Sequence, residues 1–180
     1  NKNILVTGGG GSIGGELCVQ ILNFNPKNIY VLDSSEINLF NIYNKLNSLK
    51  KNFTKIYPIL GDCYDQNLLI KKFKNFKIDY VYHAAAYKHV GFGEINPYSI
   101  IKNNIFSTES IIEFSILKKV KNFIFVSSDK AVNPTSLLGF TKNFGEVMAS
   151  YYYKSIKNKI GIKFTVVRFG NVIGSSGSVI

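Results

Sequence analysis

The chain has 180 residues, of which 46% are apolar or aromatic and only 18% charged, and its mean hydropathy is +0.06. That is the length of one domain with enough apolar material for a full core, so wholesale disorder is excluded; two cysteines exclude a disulfide framework or a four-cysteine zinc site, and no apolar run approaches the ~20 residues of a membrane helix. The net charge of +11 comes mainly from lysines scattered from Lys2 to Lys163, with Arg168 the sole arginine, and without long single-sign blocks it reads as a solvated surface and not as a specific nucleic-acid groove.

Asn3–Thr7 opens the chain as a buried strand, continuous in Ile4, Leu5 and Val6. A glycine cluster, Gly8 to Gly11, leads into a helix over Ser12–Asn23 that Pro26 closes off. Asn28–Asp33 is a second strand. Glu36–Lys51 is a helix whose apolar stripe is Ile37, Phe40, Tyr43 and Leu46. Lys55–Leu60 is a third strand, Gln66–Asn75 a short helix, and Asp79–His83 a fourth strand that runs into Ala84-Ala85-Ala86. Asn96-Pro97 starts a long helix to about Lys118, with a capping side chain followed by proline in the first turn. Asn122–Ser127 is a fifth strand, Ser136 to about Lys157 a helix, and Lys163–Phe169 a sixth strand. Six strands alternating with helices predict an α/β fold, a doubly wound parallel sheet of the dinucleotide-binding (Rossmann) type.

The turn Gly8–Gly14 fits both T-G-x-x-G-x-x-G and G-x-G-x-x-G. Such a turn needs one glycine to bend tightly, one to let the backbone approach a pyrophosphate, and one to let helix and strand pack closely. The positive end of the following helix then faces the phosphates. Asp33 ends the second strand 19 residues after Gly14, where a carboxylate binds ribose hydroxyls and repels a 2'-phosphate. This predicts NAD in preference to NADP. Capping the next helix is the alternative role for Asp33. Asp62 is placed to meet the adenine amino group, or to cap the helix that follows it. Cys18 and Cys63 read as small apolar residues, and two histidines, His83 and His89, make no metal site.

Four runs carry a family resemblance: the glycine turn, His83-Ala84-Ala85-Ala86-Tyr87-Lys88-His89-Val90, Ser127-Ser128-Asp129-Lys130-Ala131-Val132-Asn133-Pro134, and the stretch from Arg168-Phe169-Gly170-Asn171 to Val179. Together they resemble the extended short-chain dehydrogenase/reductase superfamily. Within it they are similar to the polysaccharide-biosynthesis (CapD-like) UDP-N-acetylglucosamine 4,6-dehydratases, over essentially the whole chain. The resemblance implies a lyase that oxidises C4 of the sugar with NAD, loses water across C5 and C6, and returns the hydride to C6. It implies Asp129 as the acid for water loss, with a pKa raised by burial, and Lys130 as the C5 base, with a pKa lowered by desolvation or a neighbouring cation. Ser128 then orients the sugar O4, and Lys142 bonds the nicotinamide ribose. Cofactor contacts are expected from Gly8, Gly11, Ser12, Ile13, Gly14, Asp33, Asp62, Ala84, Ala85 and Lys142. Substrate contacts are expected from Lys88, Asn171 and Ser175, with the backbone from Gly174 to Ser178 near the diphosphate. Asn104 is expected to support the sheet beside the site.

Two departures stand out. The superfamily's Y-x-x-x-K motif has Leu138 in place of tyrosine, four residues before Lys142, so the C4 proton must leave through another group, for which Asp129 is the first choice. After Val90 the family's proline is replaced by Gly91-Phe92-Gly93, in a loop that borders the sugar. The resemblance also implies a substrate lobe after the sixth strand and, in larger members, a membrane portion. The chain therefore reads as the Rossmann domain, 1–180, of a larger cytoplasmic or membrane-face enzyme, a homo-oligomer that takes a UDP-sugar. A 4-epimerase or dehydrogenase of the same fold, and an NAD-binding homologue impaired in catalysis, are the alternatives.

Overall fold

The computed structural model describes residues 2–50, 53–156 and 161–172. The six expected strands form one parallel sheet: β1 (Asn3–Thr7), β2 (Asn28–Asp33), β3 (Lys55–Leu60), β4 (Tyr80–His83), β5 (Asn122–Ser128) and β6 (Lys163–Phe169), in the order β3-β2-β1-β4-β5-β6. The order reverses between β1 and β4, and in open sheets of this kind that switch point opens a crevice at the carboxyl ends of the strands. Pro58 lies inside β3, which is tolerated because β3 is an edge strand whose outer side needs no ladder donor.

Alternation along the strands splits the core in two. Ile4, Val6, Ile29 and Val31 face α1 (Ser12–Leu22) and α2 (Glu36–Leu49). Leu5, Tyr30, Leu32, Val81, Phe123 and Phe125 face α3 (Gln66–Lys72) and two helices further along the chain, α6 (Ser107–Leu117) and α7 (Leu137–Ile156). In α2 the buried face is Leu39, Ile42 and Leu46, while Ile37 and Phe40 of the expected stripe are exposed. Leu46 belongs to both helical spacings, and the one that also contains Leu39 and Ile42 is the one that meets β2.

The stretch after β4 departs furthest from expectation. Val90–Ile95 forms a short helix, α4, and the long helix begins as α5 (Pro97–Ile101), opens into a single π-helical turn over Lys102–Phe106, and resumes as α6. Asn96 does not cap α5 with its side chain; its amide Nδ2 donates instead to the Phe92 carbonyl at 3.0 Å, closing α4. Several other helices also end early, α3 at Lys72 being the clearest case.

Candidate active site

Three elements meet at the switch point. The first is the glycine turn. Gly8 has φ +63 and a Cβ there would lie 2.6 Å from the Ala85 backbone, and a Cβ at Gly14 would lie 2.0 Å from the Gly8 carbonyl oxygen. Strand and helix therefore meet with nothing between them, and α1 starts directly on a cleft of about 960 Å³ that Gly8, Gly11, Ser12, Ile13 and Gly14 line. The Asp33 carboxylate braces this turn: Oδ2 accepts from Gly10 N–H at 2.8 Å and Oδ1 from Ser35 N–H at 2.9 Å. The cap of α2 is Ser35, not Asp33. Likewise the cap of α3 is Asp65, whose carboxylate accepts from Leu68 N–H at 2.9 Å, and not Asp62. Ala84 and Lys88 line the cleft, while Asp33, Asp62 and Ala85 are partly exposed and are not among its lining residues.

The second element is the floor. His83, at the end of β4, is fully buried between the Thr7 hydroxyl (2.7 Å from Nδ1) and the Thr108 hydroxyl (3.0 Å from Nε2). Thr108 donates its own proton to the Asn104 carbonyl at 2.6 Å, so it must accept from Nε2–H, which fixes His83 as the neutral Nε2–H tautomer. Burial pushes its pKa down to about 3, with Lys142 adding to the effect. Asn104 sits in the π-helical turn. Its Oδ1 accepts from Tyr87 N–H at 2.8 Å, and its Nδ2 donates to the Tyr87 carbonyl and to Thr141 Oγ1, both at 3.1 Å. The extra residue of a π turn re-aims one side chain, and here that side chain clamps the loop after β4 to α7.

The third element is the wall made by β5, α7 and β6. A Cβ at Gly145 would lie 2.6 Å from the Phe125 ring, so glycine lets α7 lie against β5 and bring Lys142 inward. The Lys142 ammonium donates to the Val126 carbonyl at 2.9 Å and lies 4.9 Å from the Phe125 ring centroid. Burial pushes its pKa down to about 8, against the opposing pull of Glu146. Leu138, one turn earlier, is buried and also lines the cleft.

Ser128, Asp129 and Lys130 stand where β5 ends and a single 3-10 turn, Asp129–Ala131, begins. Ser128 caps that turn and donates its hydroxyl to Asp129 Oδ1 at 2.9 Å. The environments expected of the next two residues are reversed. The Asp129 side chain is 56% exposed, and the Ser128 hydroxyl, then Lys130, hold its carboxyl below the usual carboxylate range. Lys130 is 42% exposed and its neighbour is an anion: Nζ lies 3.4 Å from Asp129 Oδ1 and 3.4 Å from Asn171 Oδ1. The desolvated lysine of the site is Lys142. Ser175 and the Gly174–Ser178 run lie outside the described residues.

Sequence reasoning missed a carboxylate hub. Glu146 accepts from Ser127 Oγ at 2.6 Å and from Arg168 at 2.9 Å (Nε) and 2.6 Å (Nη2), and Arg168 holds its carboxyl low. Its signals in the sequence were the spacing of four from Lys142 and the position of the single arginine. Also missed was Glu94 on α4, which accepts from the first N–H of α7, that of Leu137, at 2.8 Å. Among the described residues no cluster of His, Cys, Asp and Glu could hold a metal ion.

Residues 4–180 match the family described as "Polysaccharide biosynthesis protein". The chain is 41% identical to the capsular polysaccharide biosynthesis protein CapD of Staphylococcus aureus, covering all of this chain and 30% of that protein. It is 37% identical to an inverting UDP-N-acetylglucosamine 4,6-dehydratase of Campylobacter jejuni, covering 99% of this chain and 52% of that enzyme. A crystal structure of Pen from Bacillus thuringiensis superposes with a TM-score of 0.88 at 37% identity, covering 99% of this chain and 52% of that one. The chain thus spans between about a third and a half of the length of these relatives.

Proposed function

The chain belongs to the polysaccharide biosynthesis protein family, and on that premise we propose that it is the dinucleotide-binding half of a nucleotide-sugar 4,6-dehydratase that uses NAD on a UDP-N-acetylglucosamine-type substrate. The observation that carries the reading is the placement of Ser128 and Lys130, on either side of Asp129 at the end of β5, in one cleft with buried Lys142 and the glycine turn. The residues fit the cofactor. A turn without side chains admits a pyrophosphate, a helix N-terminus faces it, and a carboxylate at the end of β2 with the sole arginine far off on β6 favours NAD over NADP. Bound NAD would supply the acceptor and later the donor of the sugar's hydride.

The proton steps fall to this chain. Asp129, held as a carboxylate, takes the C4 hydroxyl proton as the C4 hydride leaves, with Ser128 orienting O4. That step protonates Asp129, which then gives the same proton to the C6 hydroxyl as it departs as water. Lys130 takes the C5 proton, exchanges with solvent, and delivers a solvent-derived proton to C5 when the hydride comes back to C6. In this cycle Asp129 needs no raised pKa at the outset, in keeping with its exposure. Lys142 holds the nicotinamide ribose. Lys88 and Asn171, which line the cleft, take the sugar in this reading.

The test is incubation of the expressed protein with UDP-N-acetylglucosamine in D₂O. A 4-keto-6-deoxy product carrying deuterium at C5 is expected, and absence of both sinks the reading. The exposure of Lys130 favours one second reading, a 4-epimerase, which needs no C5 base; a C4 epimer formed without loss of water would select it.

We also propose that a second copy covers α7, where Phe140, Phe144, Val147 and Tyr151 stand 40–67% exposed at spacings of four, three and four along one face. Phe144→Glu with Val147→Lys should yield a monomer in sedimentation; an unchanged mass would refute it. Among the described residues no helix is long and apolar enough to cross a membrane. Cys18 and Cys63 are free and buried, which fits a reducing, cytoplasmic site of action.

A further inference from the structure

We propose that Glu146 is a positioning residue: with one carboxylate it ties α7, β5 and β6 together at the points where they deliver Lys142, Ser128 and Asn171 to the cleft. The inference rests on the reading that these residues carry the reaction.

Three elements leave one hub. On β5, Ser127 gives its hydroxyl to Glu146 Oε1 at 2.6 Å, and the next residue is Ser128. On β6, Arg168 grips both oxygens in a two-pronged pair, and three residues later stands Asn171, whose Oδ1 receives Lys130 Nζ at 3.4 Å. On α7, one turn before Glu146, stands Lys142, whose ammonium bonds the carbonyl of Val126, the neighbour of Ser127. Ser127 and Arg168 are already paired in the β5–β6 register, so the sheet alone fixes them relative to each other. What the sheet does not fix is the height of α7 above them, and among the described residues the Glu146 carboxylate spans that gap with charged hydrogen bonds to both β5 and β6, where Lys142 reaches β5 alone.

The hub is also electrostatic. The charged groups facing Lys142 are Glu146 on its own helix and His83 on β4, and His83 is held neutral by burial. Glu146 is thus the anion that favours the ammonium form. The Glu146 side chain is 13% exposed, so its field on Lys142 is weakly screened.

The test compares Glu146→Gln, which keeps the shape and removes the charge, with Glu146→Asp, which keeps the charge on a shorter arm, both in the protein expressed from its own gene. Two readouts are taken: kcat and KM against pH with UDP-N-acetylglucosamine, and the pH midpoint of Lys142 acetylation by limiting acetic anhydride, followed by mass spectrometry. We expect Glu146→Gln to lower kcat about tenfold to a hundredfold, to leave the Kd for NAD within about twofold, and to move the Lys142 midpoint down by about one pH unit. Glu146→Asp should recover most of the midpoint and part of kcat. An unchanged kcat and midpoint in Glu146→Gln overturns the proposal. So does an equal loss in both variants that follows only a fall in melting temperature. If Glu146→Gln does not fold, Ser127→Ala removes one arm of the hub and should lower kcat while keeping the midpoint; unchanged kcat there also overturns it. If the unaltered protein makes no dehydrated product while the Lys142 midpoint still moves in Glu146→Gln, the functional reading falls and the positioning role stands.

Discussion

On the β1 side of the cleft the wall is main chain: Gly8, Gly11 and Gly14, with the Asp33 carboxylate bracing Gly10 from behind. On the β5 side the wall is side chains: Lys142 on the Val126 carbonyl, Ser128 on Asp129, and Glu146 between Ser127 and Arg168. The first wall depends on the absence of atoms and carries little that titrates. The second depends on charges held in place, and a neutral histidine lies beneath it. The two walls should therefore fail under different insults, pH for one and added volume for the other.

The largest expected effect lies under the side-chain wall. The pKa of His83 is depressed from 6.5 to about 3 in the fold. Above pH 6.5 both folded and unfolded chains hold it neutral and its contribution is complete. As pH falls from 6.5 toward 3 the unfolded chain takes up a proton that the fold refuses, so stability drops, by at most roughly 5 kcal/mol at full linkage. Urea unfolding at stepped pH should show that slope, and His83→Gln should flatten it. An equal slope in both proteins would mean that His83 is not the group.

Lys142 should act in the same direction, but over a higher pH window. Its pKa is depressed from 10.5 to about 8 by burial, so below pH 8 the fold bears a buried charge. Between pH 8 and 10.5 the folded chain sheds that proton while the unfolded chain keeps it, and stability rises, by roughly 3 kcal/mol at full linkage. Lys142→Met should remove the rise and be the more stable protein at neutral pH, while losing turnover. A Lys142→Met protein that is less stable at pH 7 would show that the ammonium is better accommodated than its burial implies.

The main-chain wall should ignore pH and respond to volume. Gly14→Ala puts a Cβ 2.0 Å from the Gly8 carbonyl oxygen, so turn and helix must part. Overpacking of this kind costs about 1–3 kcal/mol, and NAD affinity measured by calorimetry should fall with it. Gly91→Ala, whose Cβ would meet nothing within 4 Å, is the matched control and should change neither.

The difference between the walls also explains what the sequence disclosed. Strand runs and the glycine turn are local patterns, and all six strands, Asn3–Thr7 and Lys163–Phe169 among them, lie where apolar runs and punctuation put them. The side-chain wall joins residues far apart in the chain, and its environments are tertiary. Nothing in Ser128-Asp129-Lys130 says that Asp129 ends in solvent. Nothing in a helix lysine says that a glycine three residues on, Gly145, sinks Lys142 onto the Phe125 ring. The π-helical turn at Lys102–Phe106 was equally hidden, because one additional residue in a helix leaves its apolar spacing almost intact while redirecting Asn104. In α2 the stripe was misread because Ile37 and Phe40 are as apolar as Leu39 and Ile42, and only contact with β2 decides which pair turns inward.

The smallest effect on the fold should come from the residue that the proposed reaction most needs. Lys130 and Asp129 pair at 3.4 Å with both side chains about half in solvent, and exposed pairs of this kind add little to stability because water screens them and ordering two side chains costs entropy. Lys130→Met should therefore melt at the same temperature as the unaltered protein. If Lys130 is the C5 base, the same variant should still oxidise C4 yet incorporate no deuterium at C5. Lys142→Met gives the reverse pairing, a changed fold stability with, on the proposed reading, a lost ribose contact. Finding that Lys130→Met keeps full deuterium exchange would move the C5 proton to another group, and Lys142, the lysine whose pKa lies near neutrality, would be the first to test.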